Sequence, residues 1–345
     1  MELKGTIIAG EQMNPVEGTV RISDGVIREI DSEPVDSSDI IMPSFVNAHT
    51  HIGDSIAKEA GRGLSVKAVV EPPDGLKHRL LADASRDEIR QAMETTIEYM
   101  AHSGVGTFVD FRENGIDGVE TLRAAAQGLP IDAIALGRGD PSVIEVGDGY
   151  GASVVHHRDF GPARAAANEA DKPFGIHAGE RNTADIGPSL SLDPDFLVHM
   201  NCARDEDFRA VEQRHIPIAV CPRSNLVTGA GLPPIERFLE GTTVALGTDN
   251  VMLNSPSMWR EMEFVSKLCD VSDRDVLRMA TVNGARLVGR ADIGTIDVGK
   301  RARVTVVDGS GSLSGVRDTV AGIVRRAGTA DVKSVVFETS VTTRQ

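Results

Sequence analysis

The sequence predicts an α/β protein: a (β/α)8, or TIM, barrel with a small β-sandwich domain built from both termini. Three observations predict it. Apolar strand-like runs alternate with helical runs over roughly 250 residues, the size of such a barrel. Both ends of the chain read instead as short β-runs broken by Gly, Asn, Pro and Asp. The central strands repeatedly end in His or Asp, at the face where a barrel carries its chemistry. The expected division is therefore residues 1–43 plus 295–345 for the β-sandwich and 44–294 for the barrel. The alternation alone also admits an open, doubly wound sheet.

At the N-terminus, LKGTIIAG, GTVRISDG and VIREIDSE read as β-strands. Barrel strands are expected at 44–48, 105–110, 131–136, 151–155, 173–177, 195–199, 216–221 and 243–248. Helices are expected between them. Ser85 caps SRDEIRQAMETTIEYMAHSG with Glu88 three residues on. VETLRAAAQG, GPARAAANEAD, SMWREMEFVSKLC and SDRDVLRMATVNGARLVG complete the set. At the C-terminus, GKRARVTVVDGSG, TVAGIVRRAG and VKSVVFET read as β again.

Composition bounds the function. A chain of 345 residues, 41% hydrophobic, can bury one large core with a small satellite. The net charge of −15 argues against nucleic acid and anionic membranes as partners. Arg outnumbers Lys, a balance that suits a salty, halophilic cytoplasm or a biased genome. Cys202, Cys221 and Cys269 are too few and too scattered for a disulfide framework or a zinc ribbon. Neither a signal peptide nor a membrane span is evident, so a soluble cytoplasmic protein is expected.

The chemistry sits at strand ends. FVNA runs into His49-Thr50-His51, PFGI into His177, DFLV into His199 and VALGT into Asp249. In a barrel these ends share one face. Residues two apart on a strand point the same way, so His49 and His51 can share one ion. Three imidazoles and a carboxylate suit Zn2+, with Fe2+ or another divalent ion as the alternative. A single strand-end His is more often structural than a ligand; four ligand-type residues at the right ends of the right strands in one chain point to a site. His78, His102, His156, His157 and His215 lack that context and read as surface, helix or loop residues, with His156 and His157 outside candidates for the pocket wall.

The ordered set His-x-His, His-x-x-Glu, lone His and Asp resembles the amidohydrolase superfamily. MPSFVNAHTH resembles its first-strand motif, with Ser44 where Gly is common. HAGE, CPRSN and LGTDN resemble the branch of cytosine, guanine and S-adenosylhomocysteine deaminases and triazine hydrolases. The resemblance implies that His49, His51, His177 and Asp249 bind one metal ion that generates hydroxide from water. It implies Asp249 as acceptor of that water's first proton, His199 as its polariser and Glu180 as the proton carrier to the substrate. Two-metal relatives bridge their ions with a Lys ending the fourth strand. No Lys lies between Lys77 and Lys172, so a single ion is expected.

The implied function is hydrolysis of a non-peptide carbon–nitrogen bond, as deamination of a small heterocyclic amidine. The alternatives are a cyclic-amide or halide-displacing hydrolase, and a non-catalytic metal-binding barrel. Arg223 is either a contact for an anionic substrate group or a structural residue. The segment after His51 is Gly-rich and lacks aromatics, so no stacking platform for a purine is evident: either the ligand is smaller or the lid comes from another subunit of a homo-oligomer.

Overall fold

The structure is a computed structural model describing residues 1–64, 68–69, 74–338 and 340–343. The terminal strands gather into one seven-stranded sheet. Its members are β1 (Glu2–Ala9), β2 (Asn14–Ser23), β3 (Val26–Ser32), β4 (Ile40–Pro43), β14 (Val304–Val307), β15 (Val332–Val336) and β16 (Val341–Thr343), in the order β16-β15-β14-β4-β1-β2-β3. Ile7, Val20, Ile27, Ile41, Val304 and Val336 form its apolar core.

The second sheet is parallel and runs in chain order. It comprises β5 (Phe45–His51), β6 (Val105–Arg112), β7 (Asp132–Gly137), β8 (Gly149–Ala152), β9 (Phe174–Ala178), β10 (Phe196–His199), β11 (Ile218–Val220), β12 (Val244–Leu246) and β13 (Asp249–Asn250). The last two are one stave interrupted at Gly247-Thr248. β12 pairs with β11, while β13 pairs back onto β5, with Asp249 opposite Thr50 and Asn250 opposite His51. The ring therefore closes, and the open-sheet alternative falls. Ala48, Val109, Phe111, Leu136, Phe196, Val198, Ala219 and Ala245 fill its interior, with Cys221 fully buried beside them.

Helices cover the outside. Arg86–His102 begins with the expected reciprocal cap: Ser85 Oγ accepts from Glu88 N, and the Glu88 carboxylate accepts from Ser85 N at 2.8 Å. Arg303 fastens the terminal sheet to the barrel, donating to Asp132 (2.8 Å), Glu338 (2.9 Å) and the Pro130 carbonyl (2.7 Å). Ser44, in place of the usual Gly, sets its hydroxyl 3.1 Å from Thr305 Oγ1 of β14. Among the described residues no helix is long and apolar enough to cross a membrane.

Three elements depart from the sequence reading. TVAGIVRRAG, expected as β, is an α-helix at Thr319–Arg326, capped by Asp318, whose side chain accepts from Ala321 N at 3.0 Å. Its β-branched residues suggest a strand, but Val320, Ile323 and Val324 are buried at helical spacing. The last helical run is two helices, Asp273–Met279 and Val282–Leu287. The break exposes the Ala280 carbonyl, which accepts from Val46 N of β5 at 2.9 Å. β8 begins two residues earlier than expected, because Tyr150 stacks on Phe174 at 5.7 Å and draws the strand in; Val155–His157 is a 3₁₀ turn.

Candidate metal centre and active site

β5, β9, β10 and β13 deliver the ligand-type side chains to one end of the ring. Asp249 Oδ1 lies 3.4 Å from His49 Nε2 and 3.6 Å from His51 Nε2, and His51 Nε2 lies 3.4 Å from His177 Nε2. His199 approaches from the next strand and groups with His49 and His177. All six residues named from the sequence thus gather at one face: five around this cluster and Glu180 on the wall of the cavity above it.

Neighbouring groups fix the imidazole tautomers. His51 Nδ1 faces two acceptors, Phe111 O at 3.1 Å and Glu113 Oε1 at 3.2 Å, so it carries the proton and Nε2 keeps its lone pair. His177 Nδ1 donates in the same way to Ala152 O at 2.8 Å. His199 is the reverse: the Asn225 amide nitrogen stands 3.1 Å from its Nδ1, which leaves the N–H at Nε2. His51 and His177 therefore present lone pairs, and His199 presents a donor.

His49 provides the test of whether a cation fits. It is fully buried, and neither ring nitrogen has a hydrogen-bond partner. A buried polar atom left unpartnered is costly, and a positive ion among these donors supplies the missing partner. The protonation states agree. Burial lowers the pKa of His49, takes His51 down to about 3, and puts His177 well below its usual value. Burial works to raise Asp249, but the His49 contact and the surrounding imidazoles outweigh it and hold the carboxyl well below its usual range. Neutral imidazoles beside an ionised carboxylate are what a divalent ion requires.

The strand ends are shaped for this task. His199 and Asp249 have φ of 78° and 58°, left-handed values that cost a non-Gly residue on the order of 1–3 kcal/mol and recur at functional sites. Asn47 holds the interrupted stave, donating to Thr248 Oγ1 at 2.8 Å and accepting from Thr248 N at 3.0 Å. Gly247 must be Gly, because a Cβ there would sit 2.7 Å from His49 Cβ and 2.8 Å from His49 N. Ser224, just past β11, donates to Asp249 Oδ2 at 2.5 Å and leaves Oδ1 to the cluster. Gly179 N donates to Asp185 Oδ1 at 3.1 Å, which pins the turn between His177 and Glu180.

Arg223 is structural. Its guanidinium donates to Ser255 O, Ser257 O and Asn254 Oδ1 at 3.2–3.4 Å, and its backbone N–H donates to Glu261. It clamps the segment after Asp249 and does not line the cavity.

The cavity over the cluster has a volume of about 390 Å³. It holds residues that no motif marked. Lys77, from the helix Leu76–Asp83, is buried and pairs with Asp54 at 2.9 Å and Glu113 at 2.7 Å. Glu113, one residue past β6, also accepts from Arg112 at 2.7 Å and Arg138 at 3.0 Å. The sequence signal available was a charged pair, Arg112-Glu113, at the end of an apolar strand. His157 lines the cavity, as its outside candidacy allowed, and so does His78, read from sequence as a bystander. His156 is exposed and does not line it. In the Gly-rich segment that raised the question of a lid, residues 65–67 and 70–73 lie outside the described residues.

Comparison with known proteins agrees with this layout. The sequence model of the amidohydrolase family matches residues 40–158 and 190–341. A putative aminohydrolase of Methanothermobacter thermautotrophicus is 34% identical, over 96% of this chain and 95% of that one. A 5-methylthioadenosine/S-adenosylhomocysteine deaminase of Pyrococcus furiosus is 26% identical, over 83% and 81%. An adenosine deaminase of Xanthomonas campestris, solved with bound zinc, superposes with a TM-score of 0.84 at 19% identity, covering 99% of this chain and 92% of that one.

Proposed function

The chain belongs to the amidohydrolase family, and from that membership we propose that it is a mononuclear zinc deaminase of a heterocyclic amidine, a 6-aminopurine nucleoside or a close analogue. The observation that carries the reading is the buried His49 imidazole, whose ring nitrogens make no hydrogen bond, within a set of three Nε2 atoms and one carboxylate oxygen, at the floor of a cavity walled by Glu180. Relatives named as deaminases of adenosine derivatives support the substrate class.

His49, His51, His177 and Asp249 hold the ion. The ion's contribution is to bring the pKa of a water down towards neutrality and to polarise the carbon that is attacked. The remaining work falls to side chains. Asp249 Oδ1 accepts the first proton from the attacking water. Glu180 relays the water's other proton to the ring nitrogen, and the proton taken up by Asp249 passes to the departing amino group, so both carboxylates are regenerated. The Nε2–H of His199 donates towards the oxygen that gains charge at the ring carbon. The carbon–nitrogen bond to the amino group breaks, and the products are a lactam and ammonia.

The test is metal analysis together with an ammonia-release screen over purine nucleosides, pyrimidines and pterins. About one equivalent of zinc and ammonia from an aminopurine are expected. Less than half an equivalent of any divalent metal, with no loss of fold on chelation, would overturn the reading. Release of halide or ring opening without ammonia would replace the deaminase by the other hydrolases of the family.

A further inference from the structure

The cavity wall also carries cations. Arg138 and Arg158 line it, as do His78 and His157. Arg138 follows β7 directly, and Arg158 follows the turn Val155–His157. The two are tied to one corner: Arg158 Nη1 donates to the Gly139 carbonyl at 2.8 Å, and Tyr150 OH donates to the same oxygen at 2.7 Å. Arg138 uses one nitrogen on Glu113 at 3.0 Å, and its other donors remain available to the cavity.

Two buried cations, Lys77 and Arg112, and the half-buried Arg138 face three buried carboxylates, Asp54, Asp110 and Glu113. Arg158 stands outside that set and forms no ion pair among the described residues. Of the neighbouring carboxylates, Asp140 accepts from Ser142 N at 3.0 Å and lies close enough to Arg158 to be favoured in its ionised form without a direct ion pair, and Asp159 accepts from Gly161 N at 2.9 Å. The other carboxylates on the cavity wall, Glu180 and Asp249, belong to the reaction centre. On a protein of net charge −15 such a corner is an exception, and long-range attraction of anions does not explain it.

We propose that this corner binds a phosphate monoester on the substrate, so that the protein acts on a phosphorylated heterocyclic amine and discriminates against the neutral nucleoside. The inference rests on the deaminase reading of the same cavity. Two guanidinium forks match the oxygens of a phosphate, and they accept a dianion better than a single carboxylate. The cavity volume falls within the range of small-ligand sites. A neutral sugar offers these guanidinium groups only neutral acceptors, whereas a phosphate accepts charge-assisted hydrogen bonds of about twice the strength.

The experiment measures ammonia release by the zinc-loaded protein from adenosine, adenosine 5′-monophosphate and S-adenosylhomocysteine, the last bearing a carboxylate. In parallel, calorimetry measures binding of the same three compounds to Glu180→Gln protein, whose floor and wall are intact. The monophosphate is expected to lead adenosine by about tenfold or more in kcat/KM and in affinity. Arg158→Ala should reduce that ratio by about tenfold through KM, with Arg158→Lys restoring part of it. A ratio at or below one, a ratio unchanged in Arg158→Ala, or preference for the carboxylate would overturn the proposal. If none of the three releases ammonia, the deaminase reading fails for these compounds. The binding ratio and its loss in Arg158→Ala then decide the phosphate site independently.

Discussion

The Glu113 carboxylate stands 3.2 Å from His51 Nδ1 and joins a metal-type ligand to the buried Lys77 ammonium. The arrangement resembles the carboxylate–histidine pairs that orient metal ligands. Glu113→Gln keeps the volume and loses the charge that holds His51 and Lys77. Metal affinity should fall by about 10- to 100-fold. Competition with a coloured chelator measures this directly, and an unchanged midpoint would show that Phe111 O alone orients the ring.

Glu180→Gln addresses the proton carrier. Ammonia release should drop by about 10²- to 10⁴-fold, the usual worth of a positioned acid–base group. Zinc content and thermal midpoint should stay at wild-type values, because Glu180 lies on the cavity wall outside the ligand cluster. Wild-type turnover in the variant would remove Glu180 from the mechanism.

Gly247→Ala drives a methyl group into His49, with contacts of 2.7 Å to Cβ and 2.8 Å to the backbone nitrogen. The expected cost is about 1–3 kcal/mol of stability, as for other overpacked sites. A denaturant titration reads the cost, and metal analysis should show reduced zinc in the same sample. A variant with wild-type stability and full zinc would mean that the two strands separate freely at that point.

Glu261 gives stability a pH dependence. Burial pushes its carboxyl up to about 7, although the Arg223 guanidinium and backbone N–H favour the ionised form. Its folded value lies above the unfolded value of 4.5, so its contribution is present in full below 4.5 and is lost as pH rises through about 7. Glu261→Gln removes that slope. The stability of the variant relative to wild type should therefore rise steadily between pH 4.5 and 7, read from urea midpoints at fixed ionic strength. A pH-independent difference would show that Glu261 stays ionised.

What was legible in the sequence had a period or a motif behind it. The barrel strands were, because each is a short apolar run with one orientation available to it. The gathering of His49, His51, His177, His199, Glu180 and Asp249 at one face was, because barrel geometry turns distant strand ends into neighbours. The helix Thr319–Arg326 was not, because its Val and Ile content favours a strand and only the packing of Val320, Ile323 and Val324 overrides that preference. The break before Val282 was invisible because its partner, Val46 N, is over two hundred residues away. Lys77, Glu113 and Arg138 escaped notice for a related reason. A lone charged residue beside a strand end looks solvated until the fold buries it against its partners.

The seam at Gly247-Thr248 ties metal loading to the order of assembly. On the proposed ligand set, three ligands lie on β5 and β9, and the fourth enters only when the last stave docks onto the first. The full ligand set exists only once that stave is in place, so tight loading is expected to follow ring closure. On that proposed ligand set, a bound ion would act as a latch across the seam. Chelation should therefore speed unfolding more than it slows folding, and the first backbone amides to lose protection should be those of Thr248, Asp249 and their partners on β5.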